Sequence, residues 1–278
     1  MGLSPKVVGV VLAVVVSVVL MGGIRRVSRL SQLLVPVMAV IFIGGGVGVI
    51  AVNAQKLPQV MEQIVTYAFA PKAVVGGYSM GLALRYGLAR GVFSNEAGVG
   101  MSAMAHACAQ VDHPGKQGMW GIFEVFFATL VICTVTALVI LTSGVYDPVA
   151  AQEMIAAGKI PGEMLGSTLA ASAFASLWGA AGEWMVTVSL TLFAFTSLVG
   201  AGYYGRRGVE TLTKSPLVLG VYHVVFPLCV VAGAVGDLAA VWELVDLCNG
   251  LLAIPNLATL LLLSPVVLRT LKEWLKKK

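Results

Sequence analysis

Long apolar blocks alternate with short polar connections along almost the whole chain. A helix that crosses a bilayer needs about 20 predominantly apolar residues. Blocks of that kind lie at 5–23, 33–53, 119–143, 182–204, 215–236 and 240–265, and a less regular one lies at 60–92. The pattern predicts an all-α integral membrane protein with about seven transmembrane helices. Residues 144–181 are more polar, yet contain helix-forming pieces such as AAQEMIAAG and STLAASAFASLWG. They are expected to form a helical external loop that packs on the bundle.

The connections alternate in charge. Arg25, Arg26 and Arg29 follow the first block, and a single Lys56 follows the second. Arg85, Arg90 and Lys116 come next, then Asp147, Glu153 and Glu163 against Lys159. Arg206, Arg207 and Lys214 follow the fifth block, Asp237 and Glu243 the sixth. Arg269, Lys272, Lys276, Lys277 and Lys278 close the chain. Lysine and arginine accumulate on the cytoplasmic side. The expected arrangement is therefore a multi-pass protein of the cell (inner) membrane, with its C-terminus cytoplasmic and its N-terminus outside. An outside N-terminus without a cleavable signal suggests that spans normally preceding this start are missing.

Composition agrees. Of 278 residues, 58% are hydrophobic and 11% charged, with mean hydropathy +0.93. Soluble domains carry about 25% charged residues, so the lipid bilayer must be the main surroundings. The net charge of +5 sits in short clusters beside apolar blocks, which argues against nucleic acid as a partner. Cys108, Cys133, Cys229 and Cys248 show no paired spacing and read as small core residues.

The third block carries Pro71, Gly76, Gly77 and Gly81 where the chain should be crossing. Such breaks either expose carbonyls to a substrate or ion near mid-bilayer or let helices pack closely. The segment SNEAG follows, and for Glu96 a helix cap or an ion pair with Arg90 is the simpler reading. His106, Cys108, Asp112 and His113 match no zinc spacing, and no metal is assigned to them. The fifth block places Thr187, Ser189, Thr191, Thr196 and Ser197 among apolar residues. Such hydroxyls either bond back to their own helix or offer oxygens to a small hard cation. In the last block, Asn249, Gly250, Pro255 and Asn256 suggest a helix facing a polar interior. Nowhere do a nucleophile, base and orienting group assemble, so no enzyme is expected.

The stretches GLARGVFSNEAGVG, HACAQVDHPGKQGMWGIFEVF, CTVTALVILTSGVY and NGLLAIPNLATLLLLS resemble the sodium:alanine (alanine or glycine:cation) symporter family. GGIRRVSRLSQLLVPVMAV resembles that family's basic loop and the helix after it. The resemblance runs over nearly the whole chain and implies a partial LeuT-type inverted-repeat transporter fold, comprising core helices four to ten. It implies one membrane domain over 1–278. Residues 1–54 would be the last two helices of the first repeat, 55–265 the second repeat, and 266–278 a basic cytoplasmic tail. The first core helix, with its Thr-Gly-Asn motif, would be absent.

Residue by residue, the resemblance implies an unwound segment at Gly76, Gly77, Tyr78, Ser79 and Met80, or a break displaced toward Gly98. Gly76, Gly77, Tyr78, Met80 and Ala201 would meet the substrate. Ser79, Phe193, Thr196 and Ser197 would bind sodium, Phe193 through its carbonyl. The family usually carries Gly-Trp-Ser-Tyr-Tyr-Gly-Glu where this chain has Gly200 to Arg206. Ala201 in place of tryptophan enlarges the implied pocket. The implied function is sodium-coupled symport of a small neutral amino acid, alanine or glycine, with sodium co-transported and no organic cofactor. This chain would be the C-terminal part, completed by a chain supplying the missing N-terminal helices. The alternative is a truncated, non-transporting membrane protein or one half of a split transporter.

Overall fold

The computed structural model describes residues 4–69, 80–147 and 166–276. Their regular elements are all helical. In chain order they are α1 (Pro5–Met21), α2 (Gly23–Val52), α3 (Leu57–Phe69), α4 (Met80–Asn95), α5 (Met101–Ala107) and α6 (Pro114–Phe126). A π-helical turn, Phe127–Ile132, joins α6 to α7 (Cys133–Ser143). Then come α8 (Gly166–Trp178), α9 (Ala180–Leu212), α10 (Pro216–Val235) and α11 (Leu238–Lys276). Helices α1, α6 and α10 each open on a proline, whose missing N–H is not needed in a first turn.

Five helical stretches are long and apolar enough to cross a membrane: Val27–Val52, Pro114–Ser143, Ala180–Leu212, Pro216–Val235 and Ala240–Lys276. Helix α1, of 17 residues, is apolar but shorter. At about 1.5 Å per residue, the 39 residues of α11 extend about 58 Å, well beyond a hydrocarbon core of about 30 Å.

Two boundaries differ from the sequence pattern. The basic stretch after the first block is not a loop but the start of α2, because no glycine or proline interrupts residues 24–35. The region expected as a tail is helical as far as Lys276, since Pro265 is tolerated inside α11. The irregular third block corresponds to α3 and α4. Residues 70–79 between them, including Pro71, Gly76, Gly77, Tyr78 and Ser79, lie outside the described residues.

The chain divides into two compact units. Unit 1 comprises Met1–Val35, Asn95–Glu124 and Ala194–Lys278, and unit 2 comprises Pro36–Ser94 and Val125–Phe193. The core of unit 2 is Phe42 and Val49 of α2, Val139 of α7, Ala170, Ala173 and Phe174 of α8, and Val186 of α9. Phe42 and Phe174 meet with ring centroids 5.1 Å apart. Glycines of α2 let α8 come close: a Cβ on Gly48 would lie 2.8 Å from the Trp178 ring. The Trp178 indole N–H donates to the Gly45 carbonyl at 3.2 Å. The sequence STLAASAFASLWG thus forms a packed helix, as its pattern predicts. Lys56 Nζ donates to the Thr142 carbonyl at 3.1 Å, capping the end of α7.

In unit 1, α1 packs along α10. Its core gathers Val16 and Leu20 of α1, Val27 of α2, and Val199 and Tyr203 of α9. The Tyr222 hydroxyl of α10 donates to the Gly202 carbonyl of α9 at 2.8 Å. The cysteines, expected in the core, are free thiols on the surface of the chain. In a membrane protein an apolar block also has an outward face, and a thiol is apolar enough to occupy it.

Further contacts within each unit tie helix ends together. Lys56 meets Thr142, His113 stacks on Trp274 with centroids 6.4 Å apart, and Cys108 lies 3.6 Å from the Tyr203 hydroxyl.

Candidate substrate and ion site

The predicted site residues divide between a region the structure describes and one it does not. Gly76, Gly77, Tyr78 and Ser79 lie outside the described residues. Met80 is the first residue of α4. The remaining four, Phe193, Thr196, Ser197 and Ala201, all lie on α9, an unbroken helix. Phe193 is the last residue of unit 2, and the other three belong to unit 1.

On α9 the burial pattern separates two faces. Val199 and Tyr203 are buried, packing toward α1 and α10. Ala194, Ser197 and Ala201 follow at spacings of three and four and are all exposed, whereas at Gly205 the same side of the helix closes against Tyr222 of α10. Residues spaced this way share a face, so Ser197 and Ala201 stand one turn apart on the open side of the helix. Thr196 is half-buried and sits about 100° around the helix from Ser197. Further up, Thr191 Oγ1 donates to the Thr187 carbonyl at 2.7 Å, so that hydroxyl bonds back to its own helix. Ser189 is buried at the base of an open apolar groove in unit 2 lined by Met38, Trp184 and Met185.

The SNEAG segment forms the turn from α4 to α5. Asn95 Oδ1 accepts the Ala97 N–H at 3.1 Å and ends α4. The capping carried by a side chain here belongs to Asn95 and not to Glu96. Glu96 instead takes a left-handed backbone (φ 54), as no other non-glycine does among the described residues. Its carboxyl is half-buried and held above the usual carboxylate range, first by burial and then by the nearby charge of Glu124. The acting neighbour is thus an acid, where the sequence suggested Arg90. Reaching from α11, the Asn256 amide nitrogen donates to the Ala97 carbonyl at 3.0 Å and the Gly98 carbonyl at 2.8 Å. Asn256, singled out in the sequence as a buried amide, finds its partners 159 residues away.

Beyond the turn, His106 Nδ1 lies 2.6 Å from the Gln117 amide nitrogen, and Nε2 lies 2.9 Å from Glu124 Oε2. His113 Nδ1 accepts the Gly115 N–H at 3.0 Å. Asp112 pairs with Lys116, which holds its carboxyl below the usual range. Among the described residues, no three histidine, cysteine, aspartate or glutamate side chains are grouped to hold a metal ion.

The sequence as a whole matches known transporters. It is 36% identical over 277 residues to the probable sodium/glutamine symporter GlnT of Bacillus subtilis, covering 100% of this chain and 55% of that protein. Similarity to the sodium/alanine symporter AgcS of Methanococcus maripaludis is also 36% over 277 residues, with 98% and 57% coverage. The amino-acid carrier protein AlsT of Bacillus subtilis is 37% identical over 275 residues, with 98% and 55% coverage. The chain therefore spans about half the length of the curated relatives it matches. The profile of the sodium:alanine symporter family matches residues 1–278, end to end, and the chain belongs to that family of multi-pass membrane transporters.

Proposed function

We propose that this chain forms the C-terminal part of a sodium-coupled symporter for a small neutral amino acid, alanine or glycine, in the cell membrane. Its C-terminus would be cytoplasmic and its helices would be core helices four to ten of a LeuT-type fold. One observation carries the reading. Ser197 and Ala201 share the open face of a continuous α9, while Val199 and Tyr203 turn the other face into the core. A hydroxyl and a small residue one turn apart give a cation ligand beside room for a substrate.

In this reading Thr196 and Ser197 supply neutral oxygens to sodium, joined by the Phe193 carbonyl and by Ser79. Gly76, Gly77 and Tyr78 would present backbone to the amino acid, while Met80, which the resemblance placed in the unwound segment, is helical and would meet the substrate from the first turn of α4. Neutral oxygens suit sodium because they hold the charge without a buried carboxylate. Inward sodium movement then contributes about 2.3 kcal/mol per charge per 100 mV of membrane potential. The rest of the site comes from a segment with the first core helix, which the partner in a split transporter would supply.

Ala201 favours a second reading of the substrate. The family resemblance places tryptophan there, and alanine leaves room for a longer side chain. The relative GlnT is described as a probable sodium/glutamine symporter, so glutamine belongs beside alanine and glycine in any assay.

The test is uptake of alanine, glycine and glutamine into proteoliposomes under a sodium gradient. The chain is reconstituted alone and together with the N-terminal segment of AgcS. Uptake that needs both the gradient and the added segment is the expected result. Robust uptake by the chain alone would overturn the half-site reading, and no uptake in either case would overturn symport.

A further inference from the structure

The turn Glu96–Gly100 concentrates several features that a plain connection does not need. It opens on a left-handed glutamate and closes on Gly100, with φ 86. Between them the backbone is pinned from a distant helix. Both hydrogens of one Asn256 amide are engaged, one by the Ala97 carbonyl and one by the Gly98 carbonyl. The other end of the same amide closes the fit, because a Cβ on Gly100 would lie 2.8 Å from Asn256 Oδ1. Only glycine suits that position, both for its φ and for its space. Val99 inside the turn is buried, and so is Ser102 just after it.

The α11 end of the contact is equally particular. Asn256 follows Pro255, which lies inside the helix and has no N–H to give the carbonyl of Leu251. The Pro255 carbonyl in turn accepts the Thr259 hydroxyl at 2.8 Å. The amide therefore projects from a helix turn whose own hydrogen bonding is already interrupted.

Its place in the chain matters too. The chain passes between the two compact units at Val35/Pro36, Ser94/Asn95, Glu124/Val125 and Phe193/Ala194. The first lies inside α2, the third inside α6 and the last inside α9. Ser94/Asn95 falls on the last residue of α4, and the turn follows directly. This is the crossing where backbone dihedrals can change without breaking a helix, and it is the one that Asn256 clamps. Strained backbone persists only where surrounding contacts hold it, and it clusters at active sites, ligand clamps and switch regions.

Resting on the symport reading, we propose that Asn256 is a positioning residue of the transport cycle. Its amide latches the Glu96–Gly100 turn to α11 and so sets the rate of the conformational step, not the affinity for the amino acid. An asparagine is suited to this because it offers two donors on one side and an acceptor on the other, in one rigid plane. Aspartate has the same shape but no donor. Against two carbonyls it repels, so shape and donation can be tested separately.

The experiment uses the full chain in lipid nanodiscs and the completed transporter in proteoliposomes. Amide hydrogen exchange over 96–101 is compared among wild type, Asn256→Ala, Asn256→Asp, Gly100→Ala and the Asn256→Ala, Gly100→Ala pair. We expect exchange there to rise about tenfold or more in each variant, and no further in the pair, since both changes open one contact. Amides of α1 and α10 should exchange as in wild type, which shows that the fold is kept. In uptake, Asn256→Ala and Asn256→Asp should lower kcat at least tenfold while KM stays within about twofold. Unchanged exchange at 96–101, or wild-type behaviour of Asn256→Asp, would overturn the latch. A raised KM at unchanged kcat would overturn the rate-setting role. A completed wild type without uptake would overturn that role together with the symport reading, and the exchange data would still decide whether the latch exists.

Discussion

Both units have an apolar core, but unit 1 adds more polar contacts that reach across between helices. Phe42, Phe174 and Val139 interlock over the glycines of α2, and one indole N–H and one lysine close the ends. In unit 1, Asn256 grips a turn, Tyr222 bonds the Gly202 carbonyl, and His106 sits between Gln117 and Glu124. Close packing has one arrangement and resists deformation. A hydrogen bond can be exchanged for another at modest net cost. The polar contacts of unit 1 are therefore the ones that can be remade while its core around α1 and α10 stays packed, as that of unit 2 does.

The contrast can be broken at several strengths. The largest effect should come from Phe174→Ala. Deleting a buried phenylalanine ring typically costs about 3–5 kcal/mol, and loss of packing counts inside a bilayer as well as in water. Thermal unfolding in detergent should show a sharp drop in midpoint, and a midpoint near wild type would mean the unit 2 core is loosely packed.

Gly100→Ala should rank second. A left-handed backbone costs a residue with a Cβ about 1–2 kcal/mol, and here that atom also meets Asn256 Oδ1. Chemical denaturation should register the loss, and neutrality would argue that the turn relaxes freely.

Tyr222→Phe keeps the ring stacked near Phe226 and removes the hydroxyl's bond to the Gly202 carbonyl together with its contact to the Arg206 backbone. Interhelical hydrogen bonds in membranes average about 0.6 kcal/mol, so a shift of that size in the denaturation midpoint is expected. A much larger loss would mean that the Arg206 contact contributes more than the Gly202 bond.

The smallest effect is one of slope. Burial and Glu124 raise the Glu96 carboxyl above its ordinary value of 4.5. A raised acid favours the folded state while protonated. That contribution is fully present below the unfolded value and is lost as pH rises through the folded value. Glu96→Gln should remove this fall, so the difference in melting temperature between variant and wild type should widen upward from about pH 4.5. A constant difference across that range would mean that Glu96 titrates normally.

Much of the fold was legible because the bilayer imposes a length and a polarity. Crossings had to show as apolar blocks, and the helix at 166–178 showed in its alternation of small and large apolar residues. Boundaries were less legible. Residues 24–32 read as a loop from their charge, yet arginine and leucine are good helix formers and nothing there stops α2. In the same way the basic residues after 265 continue α11. The cysteines misled because an apolar block has a lipid face that composition does not distinguish from a core.

For the candidate site, the sequence alone determined which residues could do the chemistry: hydroxyls at Thr196 and Ser197, a small Ala201, a left-over amide at Asn256. These are properties of residue type at membrane depth, where any polar group needs a reason. The tertiary structure decided which face of α9 is open and that Asn256 closes on the turn at Ala97 and Gly98. It also gave the side-chain cap at this turn to Asn95 and left Glu96 half-buried. Such pairings depend on residues far apart in the chain meeting at hydrogen-bond distance, and local periodicity carries no record of that separation.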